Sequence, residues 1–200
     1  MPKKKKNDGT DKTVLIAEDH TQTRRSLKQH LEVMGYDVVG AATNGKEAVE
    51  LAFALMPSLV IMDVKMPEMD GLEAAAEISA KLTIPIILVT GMSSEEIAEK
   101  AVEAGVFAYL LKPITKKHLE PAIKLAMARY EQFQSLKSEV SDLKEAIESR
   151  KVIEKAKGIV MKRCEISEED AFKLLQSHSQ KENKKMYDIA ESIISASKLM

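Results

Sequence analysis

The sequence predicts an α/β fold in which a doubly wound, five-stranded parallel sheet is followed by helices alone. Five short apolar runs rich in β-branched residues recur up to residue 111, bounded by Gly, Pro, Asn or Asp. Amphipathic stretches fill the gaps, an alternation typical of right-handed β/α/β units. After Pro113 only Pro121 and Gly158 interrupt the pattern, so the rest of the chain is predicted to be helical.

Each element is placed by its local pattern. The predicted strands span residues 13–18, 36–40, 58–63, 84–89 and 106–111. The predicted helix-capping residues are Thr21 or Thr23 for the first helix, Asn44 with Glu47 for the second, and Ser93 or Ser94 with Glu96 for the fourth.

Chemically active side chains stand at the carboxyl ends of four predicted strands. Glu18 and Asp19 close the first strand, Asp63 the third, Thr90 follows the fourth and Lys112 the fifth. In an open parallel sheet the ligand crevice lies outside these strand ends, so we expect the five side chains to share one pocket. A single acidic residue after a strand is more often a turn former or helix cap; it is the conjunction that indicates a site.

The predicted pocket suits phosphoryl chemistry. Three carboxylates repel one another and raise one another's pKa unless a cation lies among them. With no His or Cys assigned to the pocket, its oxygen ligands select Mg²⁺, which is typically held by carboxylates together with phosphate oxygens. Asp63 is then the predicted nucleophile that forms an aspartyl phosphate, while the metal and Lys112 neutralise charge.

Residues 13–128 resemble a response-regulator receiver domain. The resemblance implies a flavodoxin-like strand order 2-1-3-4-5 and a cis peptide bond between Lys112 and Pro113. The segments that carry it are Leu15–Asp19, Val60–Pro67, Asp70–Gly71, Val89–Gly91 and Tyr109–Pro113.

The receiver resemblance also implies roles for single residues. A histidine kinase or a small phosphodonor would phosphorylate Asp63, and Lys112 would hold the phosphoryl oxygens. Thr90 and Tyr109 would form a switch pair, the hydroxyl moving toward the phosphoryl group and the ring turning inward. His20 receives no role. The implied Mg²⁺ ligands are Glu18, Asp19, Asp63 and the backbone carbonyl of Lys65.

A heptad seam is predicted in a linker helix over residues 129–150. Its apolar residues recur at alternating steps of three and four, a strip too narrow for one chain to bury, and this predicts pairing with a second copy. The alternative is a helix folded back on its own receiver. The seam consists of Phe133, Leu136, Val140, Leu143 and Ile147.

Residues 151–200 form the predicted output domain, in which a broad apolar stripe precedes two more helices. Ser167 with Asp170 is predicted to cap the second helix of the domain, and Asn183 the third. The tail from about Gln134 to Ala196 resembles an ANTAR domain, the RNA-binding output module of some antiterminator regulators. The matching segments are Ile153–Arg163, Glu169–Leu175, Asn183–Lys185 and Asp188–Ala190.

The distribution of charge in the tail matters more than its sum. From Ser135 to Met200 there are 13 Lys or Arg and 12 Asp or Glu. The ANTAR resemblance implies binding to paired stem-loops in nascent leader RNA, with antitermination as the outcome. The alternatives are a DNA-binding transcription factor and a dimerising adaptor without nucleic-acid binding. The predicted RNA contacts are Lys155, Lys157, Gly158, Lys162, Arg163, Lys184 and Lys185.

Composition is consistent with a cytoplasmic signalling protein. The single cysteine, Cys164, excludes an intramolecular disulfide and is predicted to be buried. No apolar run is long enough for a membrane span, and no apolar segment follows Lys3–Lys6 to make a signal peptide. Residues 1–12 are predicted to be a disordered basic tail. No catalytic output is expected beyond slow self-dephosphorylation.

Overall fold

The fold is described from a computed structural model, which covers residues 12–91 and 95–197. The chain divides into two compact units, with the boundary between Phe133 and Gln134. We call them the sheet unit and the helical unit. The predictions for Lys3–Lys6 and for a cap at Ser93 or Ser94 lie outside the described residues. None of the helices in the described ranges combines the length and hydropathy that a membrane crossing needs.

The sheet unit contains a five-stranded parallel sheet in the order β2-β1-β3-β4-β5, which confirms the predicted fold class. Its strands are β1 (Thr13–Ala17), β2 (Asp37–Ala42), β3 (Leu59–Asp63), β4 (Ile86–Thr90) and β5 (Ala108–Leu111). The helices that alternate with them are α1 (Thr21–Val33), α2 (Gly45–Leu55), α3 (Gly71–Lys81) and α4 (Glu95–Glu103).

Helices cover both faces of the sheet, which explains why its central strands are continuous apolar runs. Along β1, Leu15 and Ala17 pack with residues of α2 and α3, whereas Val14 and Ile16 pack with Leu27 of α1. Side chains that alternate along a strand therefore enter two separate cores. The rigid sheet fixes the position of each strand end, and it thereby positions the side chains at those ends.

The caps of the sheet unit were predicted in part. Asn44 accepts a hydrogen bond from the Glu47 backbone N–H at 2.7 Å, as predicted. The prediction for α1 was wrong, because His20 occupies the N-cap position, makes no side-chain capping bond, and Thr21 is already helical. Thr21 resembles a capping residue in the sequence, but in the structure it is the first residue of α1 and the N-cap is His20.

The helical unit begins within α5 (Lys116–Cys164), a helix of 49 residues, and continues with α6 (Glu168–Glu182) and α7 (Met186–Ser197). Ser167 caps α6 as predicted, accepting from the Asp170 N–H at 3.2 Å. Asn183 does not cap α7; it ends α6 with a left-handed backbone (φ 51°). Cys164 is exposed rather than buried. A small core holds the three helices together: Ala156, Leu175, Ile189 and Ala190.

Candidate functional site

The sheet brings Glu18, Asp63 and Lys112 together at its carboxyl edge. The Lys112 Nζ lies 2.7 Å from the Asp63 Oδ2 and 2.9 Å from the Glu18 Oε2, although Asp63 and Lys112 are 49 residues apart in sequence. The Lys112–Pro113 peptide bond is cis, as the resemblance implied. One ammonium therefore bridges two carboxylates that come from separate strands.

Burial controls the electrostatics of this cluster. Glu18 is 1% exposed, and desolvation raises its pKa above the ordinary value; the neighbouring Asp63 charge adds to this, while Lys112 partly opposes it. For Lys112, burial favours the neutral amine, but hydrogen bonds to Asp63 and Glu18 outweigh burial and raise its pKa. Lys112 is therefore a fixed cation among acids that water does not screen well.

Asp19 and His20 extend the acidic cluster toward solvent. The His20 Nδ1 lies 2.8 Å from the Asp19 Oδ1 and 3.7 Å from the Glu18 Oε1. Desolvation acts to raise the pKa of Asp19, but its hydrogen bond and charge interaction with His20 lower it overall. Sequence reasoning assigned His20 no place in the pocket, and the structure places it beside both acids.

The donor set fits a hard divalent cation. One ligand atom from each of Glu18, Asp19 and His20 lies within 4.8 Å of the others. The carboxylate oxygens suit Mg²⁺, which accepts one or two carboxylates and retains several waters. Receiver domains generally use Mg²⁺ at such an acidic site. Asp63 already has one cation beside it, because the Lys112 ammonium lies 2.7 Å from its Oδ2.

Arg24 is a site residue that sequence reasoning missed. From α1 its Nη1 donates to the backbone carbonyl of Glu18 at 2.5 Å and to that of Asp19 at 3.2 Å. These two hydrogen bonds fix the backbone of the loop between β1 and α1. In sequence an arginine early in an amphipathic helix looks like any solvated residue, so no signal distinguished it.

Gly71 fixes the other side of the pocket. A Cβ built at this position would lie 2.0 Å from the Asp63 carbonyl oxygen, so only glycine allows α3 to begin there. Its backbone N–H donates to the Val64 carbonyl at 2.8 Å. Asp70 caps the same helix, with its side chain accepting from the Glu73 N–H. The Asp70–Gly71 pair was noted in sequence, but this contact could not be read from it.

The two residues of the predicted switch pair differ in burial. Thr90, the last residue of β4, is 2% exposed, whereas Tyr109 in β5 is 47% exposed. The Thr90 carbonyl accepts a hydrogen bond from the Lys112 backbone N–H at 2.8 Å, which joins the strand end to the lysine of the pocket. The Lys65 side chain is exposed.

The predicted RNA-binding residues fall in different environments. Lys157 is only 7% exposed, and its Nζ lies 2.6 Å from the Glu154 Oε2 and 2.7 Å from the Glu168 Oε1. Lys184 pairs with Glu182 at 2.7 Å. Gly158 is half-buried, and the exposed members of the set are Lys155, Lys162, Arg163, Lys184 and Lys185.

The start of α7 is more acidic than the sequence suggested. Lys185 lines a cleft together with Asp142, Glu145 and Asp188. Tyr187, which would be the natural stacking partner for a base, donates a hydrogen bond to Glu191 at 2.8 Å. These carboxylates reduce the positive potential around Lys185.

All five residues of the predicted seam are exposed in the single chain. Their exposed fractions run from 46% for Phe133 to 61% for Leu136. The Phe133 ring meets Phe107 edge to face, with 6.2 Å between ring centroids. From Leu136 onward the seam presents large apolar side chains to solvent, as a helix face that pairs with another molecule does.

The strand order and the Glu18–Asp63–Lys112 pocket define a receiver domain. Response regulator receiver domains match residues 14–124, and ANTAR domains match residues 141–194. The chain belongs to the two-component response regulators that join a receiver domain to an ANTAR RNA-binding output. It is a signalling protein, and its two domains imply a histidine kinase and RNA as partners.

Individual relatives agree with this assignment. The chain is similar to the transcriptional regulatory protein PdtaR of Mycobacterium tuberculosis, with 44% identity over 181 residues, 90% of this chain and 88% of that protein. Transcriptional regulatory protein YdfI of Bacillus subtilis is 41% identical over 107 residues, 53% of this chain and 50% of that protein. The solved receiver domain of a modulated diguanylate cyclase from Desulfovibrio desulfuricans shows 35% identity and a TM-score of 0.56, covering 60% of this chain and 96% of that one.

Proposed function

We propose that this protein is a phosphorylation-gated antiterminator that binds paired stem-loops in nascent leader RNA. The observation that carries the proposal is the bridge from Lys112 to Asp63 and Glu18, at 2.7 and 2.9 Å, in a pocket where both acids are buried. A carboxylate with a fixed cation beside it is suited to receive a phosphoryl group. The ANTAR match supplies the output.

In the proposed chemistry an Asp63 oxygen attacks the phosphorus of a kinase phosphohistidine. The new O–P bond forms as the N–P bond breaks, and the imidazole leaves. Lys112 holds the phosphoryl oxygens, and Gly71 and Arg24 keep the backbone of the pocket in place. Mg²⁺, when bound, supplies further charge neutralisation. The residues proposed to hold it are Glu18, Asp19, Asp63 and the carbonyl of Lys65, with His20 orienting Asp19.

Phosphorylation is proposed to act on the output through Thr90 and Tyr109. The Thr90 hydroxyl shifts toward the phosphoryl group and the exposed Tyr109 ring turns inward, which remodels the surface between α4 and β5. The new surface favours a dimer, in which the seam residues of two α5 helices pair. Two ANTAR domains held together bind two hairpins with a gain from effective concentration. The population shift that this requires is a few kcal/mol, roughly 3–5.

The test uses the full chain and RNA selected from a pool of paired hairpins with randomised loops. Treatment with acetyl phosphate and Mg²⁺ is expected to label Asp63, to increase the dimer fraction and to tighten RNA binding. Removal of Mg²⁺ by EDTA should prevent all three changes. Equal RNA affinity with and without phosphorylation would defeat the gating part of the proposal.

The same selection separates the alternatives. Duplex DNA that competes as well as the selected RNA would make the protein a DNA-binding regulator. A chain that dimerises on phosphorylation but retains no nucleic acid even at low salt would be an adaptor. Either result would exclude RNA binding as the output and would leave the proposed receiver chemistry unchanged.

A further inference from the structure

Gly158 lies in α5 six residues before Cys164, the last residue of that helix, and no contact among the described residues requires a glycine there. Glycine weakens a helix interior relative to alanine because it loses more backbone freedom on folding. A Cβ built at Gly158 would meet nothing within 4 Å beyond its own helix turn. Gly71 is different, because there the chain itself fills the space. The missing side chain at Gly158 therefore leaves open space beside the backbone, as it also does at Gly35 and Gly91; what distinguishes Gly158 is the set of lysines around it.

Lysines flank this open position along one side of the helix. Lys151, Lys155, Gly158 and Lys162 follow the spacing i, i+4, i+7, i+11, which places them in one line; we call this line the basic stripe. Lys155 and Lys162 are exposed, and neither forms an ion pair with any residue in the described ranges, although Lys151 and Lys155 line a shallow cleft that also contains Glu148 and Glu191. Lys151 has one exposed pair, with Glu148 at 3.5 Å. Such a pair exchanges readily for another anion.

Lys157 faces elsewhere and serves a different purpose. Its ammonium is held by Glu154 on its own helix and by Glu168 at the start of α6. Those two carboxylates neutralise it, and only 7% of the residue reaches solvent. The lysine nearest to Gly158 in sequence thus ties α5 to α6, while the lysines one turn away on either side remain available.

We propose that the basic stripe is the surface on which the RNA phosphate backbone lies, with Gly158 as the point of closest approach. The inference rests on the proposed RNA-binding function and assigns a surface to it. Lysines one turn before and one turn after Gly158 attract phosphates by their charge, and the glycine lets a phosphate approach the helix backbone. Lys157 is a positioning residue, and the acidic start of α7 lies outside the contact.

The central test substitutes Gly158 with alanine in the full chain. Because nothing in the chain occupies the space, G158A should raise the midpoint of thermal unfolding by roughly 2–5 °C. The same methyl group should weaken binding of the selected two-hairpin RNA by about tenfold or more. Ser138→Ala, at an exposed position on another side of α5, should change neither quantity by a comparable amount.

Charge variants test the stripe itself. Lys155→Gln and Lys162→Gln should each weaken RNA binding and reduce the slope of log affinity against log salt by about 1 per bound protomer. Lys173→Gln on α6, whose ammonium already pairs with Glu169 at 2.7 Å, is the matched control and should leave the slope unchanged.

Three outcomes would overturn the inference. G158A could bind the selected RNA as tightly as the unchanged protein, which would show that Gly158 is not the point of closest approach. The variant could lose affinity together with thermal stability, which would make the glycine structural. It could also become monomeric where the unchanged protein is dimeric, which would make a second copy the occupant. If the unchanged protein selects no RNA, the proposed function fails instead.

Discussion

The sheet unit and the helical unit hold their functional groups in opposite environments. In the sheet unit Glu18, Asp63 and Thr90 are each at most 5% exposed, and Lys112 is bonded to two of them. In the helical unit the stripe lysines and the seam residues from Leu136 onward are exposed to solvent. Buried groups act through fixed geometry, whereas exposed ones act through charge and accessible area. Substitutions in the two units should therefore impair the protein in different ways.

The largest expected effect is at the centre of the buried site. Asp63→Asn removes the nucleophile, so incorporation of phosphate from acetyl phosphate and Mg²⁺ should be abolished, measured by intact-protein mass after brief treatment. Asp37→Asn, at an exposed carboxylate in β2, should be labelled normally. Labelling of the Asp63→Asn variant at the level of the unchanged protein would place the acceptor elsewhere and remove the contrast between the two units.

The next effect tests the exposed seam. Leu143→Lys places a charge where two copies are predicted to meet. Burying a leucine contributes about 1.5–3 kcal/mol, and a symmetric dimer loses two, so the dissociation constant of the dimer should rise by roughly a hundredfold or more. Sedimentation of the phosphorylated chain measures it. Ser138→Lys, exposed in the same helix but outside the seam, is the control, and equal dimer fractions in both variants would contradict the seam.

A smaller effect separates glycines that the fold requires from those it tolerates. Gly71→Ala should lower the free energy of unfolding of the sheet unit by about 1–3 kcal/mol, because the methyl group meets the Asp63 carbonyl. Gly91→Ala meets nothing within 4 Å and should change it by less than about 0.5 kcal/mol. Denaturant titration gives both values. Equal losses at the two positions would mean that close approach to Asp63 is not what constrains Gly71.

The contrast between the units also explains what the sequence could predict. Strand ends in a parallel sheet converge by topology, so Glu18, Asp63 and Lys112 were placed together from their positions alone. In the structure the Lys112 Nζ lies within 3 Å of a carboxylate oxygen of Glu18 and of one of Asp63. Arg24 was missed, and the packing role of Gly71 could not be predicted, because both act through contacts with backbone atoms of other elements, which leave no periodic pattern in a sequence.

The helical unit was harder to read for a physical reason. Periodicity finds the apolar face of a helix, but it does not show which lysine at the edge of that face is captured by acids of a neighbouring helix. Lys157 and Lys155 are two residues apart in one basic run, yet within the part of the chain that the structure describes only Lys157 of the two forms an ion pair. Asn183 likewise fits either the end of α6 or the start of α7 by composition, and its left-handed backbone decides for the end.

The smallest expected effect concerns the Lys157 pair and its dependence on pH. The hydrogen bond from Lys157 lowers the pKa of Glu168 below its ordinary value of 4.5. A carboxyl whose pKa is lower in the folded state stabilises the fold above its unfolded pKa, and that contribution is lost as pH falls through the lower, folded value. The helical unit should therefore lose part of its stability to acid through this pair, at pH values below about 4.5.

Comparison of the unchanged chain with Glu168→Gln isolates that contribution. Because Glu168 is 69% exposed in its side chain, solvent screens the pair, and the difference in thermal midpoint at pH 6 should be on the order of 1 °C, vanishing near pH 3 and in high salt. In a Lys157→Met background the same substitution should have no effect, since the partner is gone. A Glu168→Gln effect that persists in that background would mean that Lys157 does not act through Glu168, and it would return this lysine to the set of candidate RNA contacts.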